Sequence, residues 1–248
     1  MKQYTADLHI HTLLSPCGSL EMSPATIVDI ARARNIDIIG IADHNTTKHG
    51  RLVSKLAADK NIFVLCGAEV TTKEEVHCLA FFGNFEALSS FQEYLDAHLP
   101  DIKNNPRYFG HQVVVDEDEM IVEEEERLLI SAISQNIHQV EEKVHELGGL
   151  FIPAHIDRRK YSLLSQLGFV PAGLNADAFE ITPFSTPQKL GSVLKGASTK
   201  TFIRSSDAHQ PKDIGSSTTT FEMEEVSFFE ICLALKNSDN RKTIIVNN

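Results

Sequence analysis

Eleven histidines occur in this 248-residue chain, and six of them sit close to a carboxylate or to one another at the ends of apolar runs. The first group is Asp7-Leu8-His9-Ile10-His11. Side chains alternate along a regular strand, so Asp7, His9 and His11 are expected on one face, with Leu8 and Ile10 on the other. Two imidazoles placed in this way can share a divalent ion, with Asp7 as the outer carboxylate that orients a ring. Ala42-Asp43-His44-Asn45 ends a second run with an acid and an imidazole, polar groups that need a partner if they are buried. Gly67-Ala68-Glu69 brings a carboxylate to a third strand end, and Glu75-Val76-His77 opens the next run. Pro153-Ala154-His155 closes another, and Ser206-Asp207-Ala208-His209 again sets an acid and an imidazole two residues apart. These donors outnumber what one tetrahedral ion can use. Two or three neighbouring ions, with Glu69 bridging, would use them. His49, His98, His111, His138 and His145 fall in expected helices or in an irregular stretch, and are read as surface or packing residues.

The elements that position these residues follow from the hydrophobic pattern. Strands are expected at Tyr4–His11, Asp37–Ala42, Ile62–Ala68, Val76–Phe82, Leu150–Ala154, Ala178–Ile181 and Thr201–Arg204. Helices are expected over 24–34, with Ser23 as N-cap and Pro24 in the first turn, and near 51–59, 85–98, 137–147, 162–167, 187–194 and 225–236. This alternation is that of a parallel α/β protein closed, or nearly closed, into a barrel, where sites form at strand ends. Residues 100–134 break the rhythm and read as an acidic, lid-like segment inserted in a single domain spanning 1–248. The run from Thr243 to Val246 is a last edge strand or a docked tail.

Lys and Arg number 23 against 34 Asp and Glu, a formal charge of −11, with 42% hydrophobic residues. That composition excludes disorder and coiled coil. The charge, the absence of Trp and the four Tyr argue against a grip on long nucleic acid. Eight of the eleven residues from Asp116 to Glu126 are acidic. No apolar run reaches the ~20 residues of a membrane span, and the N-terminus shows no apolar leader, so no membrane partner and a cytoplasmic setting are expected. Cys17, Cys66, Cys78 and Cys232 form no paired motif and read as reduced thiols. Nothing in the sequence specifies an oligomer.

D-L-H-I-H at 7–11, A-D-H-N at 42–45, G-A-E at 67–69, V-H at 76–77, P-A-H at 153–155 and S-D-A-H at 206–209 together resemble the motifs of the PHP (polymerase and histidinol phosphatase) family. Its members are metal-dependent phosphoesterases on a distorted (β/α)7, TIM-like barrel with a trinuclear centre. The resemblance covers residues 4–84 and about 137–220. It implies one ion on His9, His11, Glu69 and Asp207, a second on Glu69, His77 and His155, and a third on His44, His209 and Cys17. Relatives often carry His or Asp at the position of Cys17, and a thiolate there favours zinc-like ions over manganese or magnesium. Iron is a further candidate. Asp7 and Asp43 would support the ligands from behind. His155-Ile156-Asp157-Arg158 and Asp207-Ala208-His209-Gln210-Pro211 are similar to stand-alone nucleotide phosphoesterases, which makes Arg158 a candidate phosphate clamp.

The chemistry expected is hydrolysis of a phosphomonoester by a metal-activated water, with Asp207 or His209 assisting proton transfer. A nucleotide, a nucleoside bisphosphate or a sugar phosphate would suit a compact acidic lid. The alternatives are a 5′–3′ exonuclease acting on short oligonucleotides, and a catalytically silent, metal-stabilised interaction module. Ser15 and Ser205 are read as structural, since no nucleophile elbow or phosphate loop accompanies them.

Overall fold

In the computed structural model, residues 1–191, 194 and 200–245 are described. Seven strands surround the site: β1 (Lys2–Ile10), β2 (Ile38–Ile41), β3 (Phe63–Thr71), β4 (His77–Phe82), β7 (Leu150–Pro153), β8 (Phe179–Glu180) and β9 (Phe202–Ile203). β5 (Val113–Val115) and β6 (Ile121–Glu124) form a separate hairpin, while β10 (Thr219–Met223) and β11 (Lys242–Ile244) extend the main sheet beyond β1. The main sheet runs β11-β10-β1-β2-β3-β4-β7, and β8 pairs with β9. A bridge between Ile10 and Ala208 brings the segment after β9 back to β1. The result is the distorted, TIM-like α/β barrel, with its sheet curled around the interior. Ala6, Leu8, Ile38, Leu65, Leu79, Phe81, Ile152 and Ile203, from most of these strands, pack together as the interior layer.

Six helices lie near their expected positions: α1 (Pro24–Ala33), α2 (Gly50–Ala57), α3 (Phe85–His98), α5 (Ile137–Glu146), α6 (Leu163–Leu167) and α8 (Phe228–Leu235). Ser23 caps α1 by accepting the Thr26 N–H, and Pro24 needs no acceptor in the first turn. Asn84, Asn136 and Ser162 cap α3, α5 and α6 in the same way. α4 (Pro106–Phe109) lies in the 100–134 stretch. α7 (Pro187–Leu190) covers the first part of the helix expected to reach Leu194. Part of the remainder lies outside the described residues, as does Val246 of the C-terminal run, whose Lys242–Ile244 portion is the edge strand.

Two departures from a regular parallel barrel matter for the site. First, β4 runs antiparallel to both β3 and β7. Only Thr72–Val76 separate β3 from β4, too few for a crossover connection, so the chain turns back with Glu75 at φ 60°. Because β4 is reversed, its first residue, His77, lies at the end of the barrel where the other strands finish.

Second, β1 carries a bulge. Asp7 pairs with Ile39 and Ile10 with Ile41, so Leu8 and His9 together stand opposite Gly40. A side chain on Gly40 would overlap the Leu8 carbonyl, and only glycine accepts this close approach. The extra residue changes which side chains face inward. Leu8 packs in the interior layer, whereas Ile10 packs with α1 and α2 on the outside. The expected common face for Asp7, His9 and His11 therefore fails at Asp7.

Candidate metal centre

The structure brings His9, His11, His44, Glu69, His77, His155, Asp207 and His209 to one end of the barrel. The first six are 0–4% exposed. The Asp207, His209 and Arg158 side chains are 9, 25 and 46% exposed and form the open side. Glu69 lies at the middle. Its Oε1 is 2.9 Å from His77 Nδ1, 3.1 Å from His155 Nε2 and 3.3 Å from His9 Nε2. Its Oε2 is 3.0 Å from His44 Nδ1 and 3.4 Å from His11 Nε2. Asp207 Oδ1 is 3.4 Å from His9 Nε2 and 3.2 Å from His11 Nε2.

Ligand atoms can be grouped in three sets, each with its atoms within 4.8 Å of one another: His9, His11, Glu69 and Asp207; His44, Glu69 and His77; and His11, His44 and His209. The first has the same four residues that the family resemblance implies. His155 shares Glu69 Oε1 with His77, as the implied second set requires. In the third, His11 joins His44 and His209, and Cys17 Sγ lies 3.4 Å from His44 Nε2.

Hydrogen-bond partners behind the rings decide which nitrogens face inward. The Glu180 carboxylate stands 3.1 and 3.2 Å from His9 Nδ1, and a carboxylate can only accept, so the hydrogen is on Nδ1. Ser15 Oγ donates to Asp43 Oδ1 at 2.7 Å and accepts from the His44 N–H at 3.2 Å. Its remaining lone pair accepts from His11 Nδ1 at 2.9 Å. His9 Nε2 and His11 Nε2 then face each other 3.1 Å apart, and in the neutral rings both carry lone pairs. Two lone pairs in this position repel unless a proton or a cation lies beside them. Donors ~2.1 Å from one shared ion stand ~3.0–3.4 Å apart, which is the spacing of this set. His44 Nδ1 and Asp207 Oδ1 are also buried, and their close neighbours are not aligned to satisfy them with a hydrogen bond. The donors therefore fit divalent ions.

Without an ion, protons compensate the carboxylates. Burial opposes charge on His9, but Glu180, Asp207 and Glu69 overcome it and hold His9 well above its ordinary value. Burial likewise opposes charge on His11, and the adjacent Asp207 and Glu69 carboxylates raise it to about 9. For His44 burial prevails over Glu69 and lowers it to about 3. Burial and the neighbouring His11 lower His209 to about 4. Cys17 is exposed as a residue, yet crowding of its thiol, then the Glu69 and Asp207 charges, push it up to about 12.

Backbone conformation contributes as well. His155 at φ 29° and Asp207 at φ 51° occupy the left-handed region that residues with side chains avoid, as functional sites often do. Asp43 accepts from the Thr12 N–H, Thr12 Oγ1 and Ser15 Oγ, the last of which stands behind His11. Asp7 does not orient a ring. It accepts the Ser206 and Gly215 N–H groups at 2.9 and 2.7 Å, tying β1 to the loop that carries Asp207. Burial pushes Asp7 up to about 6, against the pull of those hydrogen bonds. Arg158 Nη2 lies 2.5 Å from Asp207 Oδ2.

Three residues have more to do than the sequence reading allowed. Glu180 was missed, although one acid in the apolar run Ala178-Phe179-Glu180-Ile181 is the signal that singled out Asp43. Ser15 holds His11. His49 is buried, and its Nε2 accepts the Val115 N–H at 3.0 Å while Nδ1 meets Thr12 Oγ1 at 2.7 Å.

The 100–134 stretch lies against this network. Val113 and Val115 pack on Leu13 and Leu52. Lys48 pairs with Glu123 and Glu125, and Lys55, in the last turn of α2, pairs with Glu117. The acidic hairpin thus runs along the flank of α2, its tip away from the histidines. Gly110 approaches the Pro16 carbonyl, and the preceding Tyr108 and Phe109 are exposed.

Comparison with known proteins agrees with this architecture. Residues 197–240 match a family described as PHP-associated. The chain is 26% identical to the uncharacterized protein YqxK of Bacillus subtilis, covering 98% of this chain and 65% of that protein. It resembles the lesion-specific endonuclease Q of Pyrococcus furiosus with a TM-score of 0.72 and 20% identity, covering 98% of this chain and 58% of the endonuclease. A two-domain protein of Bacteroides vulgatus, containing a predicted PHP-like metal-dependent phosphoesterase, gives a TM-score of 0.58 at 16% identity over 98% of this chain and 65% of that one. Motifs, family match and fold support the PHP family. The chain spans about two thirds or less of the length of each of these relatives. Among the described residues no helix is long and apolar enough to cross a membrane.

Proposed function

We propose that this chain hydrolyses phosphate esters, using two or three divalent ions held by His9, His11, Cys17, His44, Glu69, His77, His155, Asp207 and His209. The observation that carries this reading is the pair of Nε2 atoms of His9 and His11, 3.1 Å apart beside two carboxylates, with both Nδ1 hydrogens engaged elsewhere. Bound there, divalent ions supply Lewis acidity, which activates water near neutral pH and neutralises phosphoryl oxygens. Zinc, manganese and iron are the candidates, and the Cys17 thiol favours zinc.

The chain's own groups act around that chemistry. His209 Nδ1 donates to the Asp207 carbonyl at 2.9 Å, so its Nε2 keeps the electron pair for an ion or for accepting a proton from the water. Asp207 is the other proton acceptor at the open side. An incoming phosphate competes with Asp207 for Arg158, whose planar fork suits two phosphoryl oxygens. A phosphomonoester such as a nucleotide, a nucleoside bisphosphate or a sugar phosphate would bind at the exposed side formed by Asp207, His209 and Arg158.

A specific observation favours a second reading, cleavage of a nucleic-acid phosphodiester. Tyr108 and Phe109 are exposed in the 100–134 stretch, and Arg158, Arg159 and Lys160 are exposed after β7. Aromatic and basic groups of this kind suit stacked bases and a phosphate backbone. This reading runs against the charge-based expectation but agrees with the likeness to endonuclease Q, which has been seen with a 27-mer duplex carrying an abasic lesion. The test is phosphate release from nucleotides, bisphosphates and sugar phosphates, alongside cleavage of a labelled abasic duplex, with metal-loaded wild type and His9→Ala. Release lost in the variant supports the first reading. Strand cleavage without release supports the second, and metal uptake with neither leaves the silent module.

A further inference from the structure

Glu180 lies in none of the motifs, yet it touches two candidate ligands from different strands. Its side chain is only 3% exposed at the end of β8. Both carboxylate oxygens lie within 3.2 Å of His9 Nδ1, and Oε2 also accepts the N–H of His155 at 2.8 Å. The first contact fixes a tautomer. With hydrogen on Nδ1, the neutral His9 ring presents its lone pair at Nε2, towards Glu69 and Asp207. The second contact secures a backbone amide at φ 29°, a conformation that needs outside support. Asp7, the carboxylate expected behind the first motif, faces the Ser206 and Gly215 amides instead.

We propose that Glu180 is the positioning residue of the metal centre, fixing His9 in the tautomer that ligates through Nε2 and holding the His155 backbone so that its ring reaches Glu69. This rests on the reading of the histidine cluster as a metal centre. Outer carboxylates that accept from a ligating imidazole orient the ring and raise its basicity. One residue does this here for a ring on β1 while restraining the residue after β7, so both ends move together if it is lost.

The test uses the full chain, loaded with zinc, as wild type, Glu180→Gln and Asp157→Asn. Asp157 accepts from Thr182 N and Oγ1, and so joins the same two strand ends without touching an imidazole. Long-range 1H–15N spectra report which His9 nitrogen carries hydrogen, and calorimetric titration reports zinc affinity. In wild type, His9 is expected with a hydrogen-bonded Nδ1–H and zinc at Nε2. Glu180→Gln keeps an acceptor for the His155 N–H and so preserves the backbone. It is expected to shift the His9 Nδ1 proton and weaken zinc binding ~10–100-fold, while Asp157→Asn leaves the His9 signal in place. Unchanged affinity and an unchanged His9 signal in Glu180→Gln would overturn the proposal. So would zinc at His9 Nδ1 in wild type, a result that needs no variant to fold. Wild type that takes up no zinc would instead remove the metal reading on which the proposal stands.

Discussion

Loading the first ion should expel at least one proton, the one held by His11. In the metal-free chain, burial works against charge on His9 and His11, but Glu180, Asp207 and Glu69 outweigh it, holding His9 well above its ordinary value and His11 at about 9. At pH 7.5 only about 3% of a group titrating at 9 is neutral, so the His11 ring must lose a proton before its Nε2 can bind. Affinity for zinc should then rise about 10-fold per pH unit below pH 9, a slope of one proton. His44, at about 3, and His209, at about 4, are already neutral and release none. An ion that also engages Cys17 expels one more, because that thiol titrates near 12. The assay is calorimetric titration of the chelated and desalted chain in buffers of differing ionisation enthalpy. Release of less than half a proton, or affinity flat from pH 6.5 to about 8.5, would refute the reasoning. The same groups give the metal-free chain a pH-dependent stability. The folded value of His11 is raised, so its contribution is fully present below about 6.5 and is lost as pH rises through about 9. That difference amounts to about 3 kcal/mol for His11.

Three further outcomes test other links. Ser15→Ala removes the acceptor of His11 Nδ1 and a donor to Asp43, so denaturant melts should show a loss of about 1–2 kcal/mol, and zinc affinity should fall ~10–100-fold; normal affinity would show that Ser15 does not hold the ring. Gly40→Ala forces a side chain against the Leu8 carbonyl and should cost ~2 kcal/mol or more in a thermal melt, whereas an unchanged Tm would contradict the close approach at the bulge. Lys55→Glu breaks a pair whose side chains are 67 and 53% exposed. Global stability should therefore move by no more than ~1 kcal/mol, and a larger loss would mean that charge, not Val113 and Val115 on Leu13, anchors the hairpin.

Much of the architecture was legible because each apolar run ended in a polar group with an evident task. All seven strand segments expected from the pattern are present, and the Ser23-Pro24 and Asn84 caps set their helices where those residues are best used. The direction of β4 was not seen, although its five-residue connection to β3 signals a hairpin. β10 escaped notice although residues 220–223 alternate between polar and apolar, because it follows directly on a loop rich in Ser and Gly. At the site, histidines two apart or at strand ends were readable from spacing alone. Glu180, Ser15 and His49 were not, since each gains its role from a partner distant in sequence: Glu180 from His9, Ser15 from Asp43 and His49 from Val115. Asp7 was misplaced for a related reason, because an alternation rule assumes a ladder without an extra residue.

That extra residue gives β1 two opposite parities. Up to Leu8 the even-numbered residues face the interior, and from His9 onward the odd-numbered ones do, as shown by Leu8 in the interior layer and Ile10 among the outer helices. A periodicity scan across the whole strand sums two phases that cancel over the segment carrying the chemistry. A chain with the same letters and a single parity throughout, with Leu8 kept inside, would turn both imidazoles towards the helices and fill the centre with Leu8 and Ile10. For this strand, the difference between a metal-ready barrel and an inert one is therefore a matter of phase, which the motif D-L-H-I-H does not by itself encode.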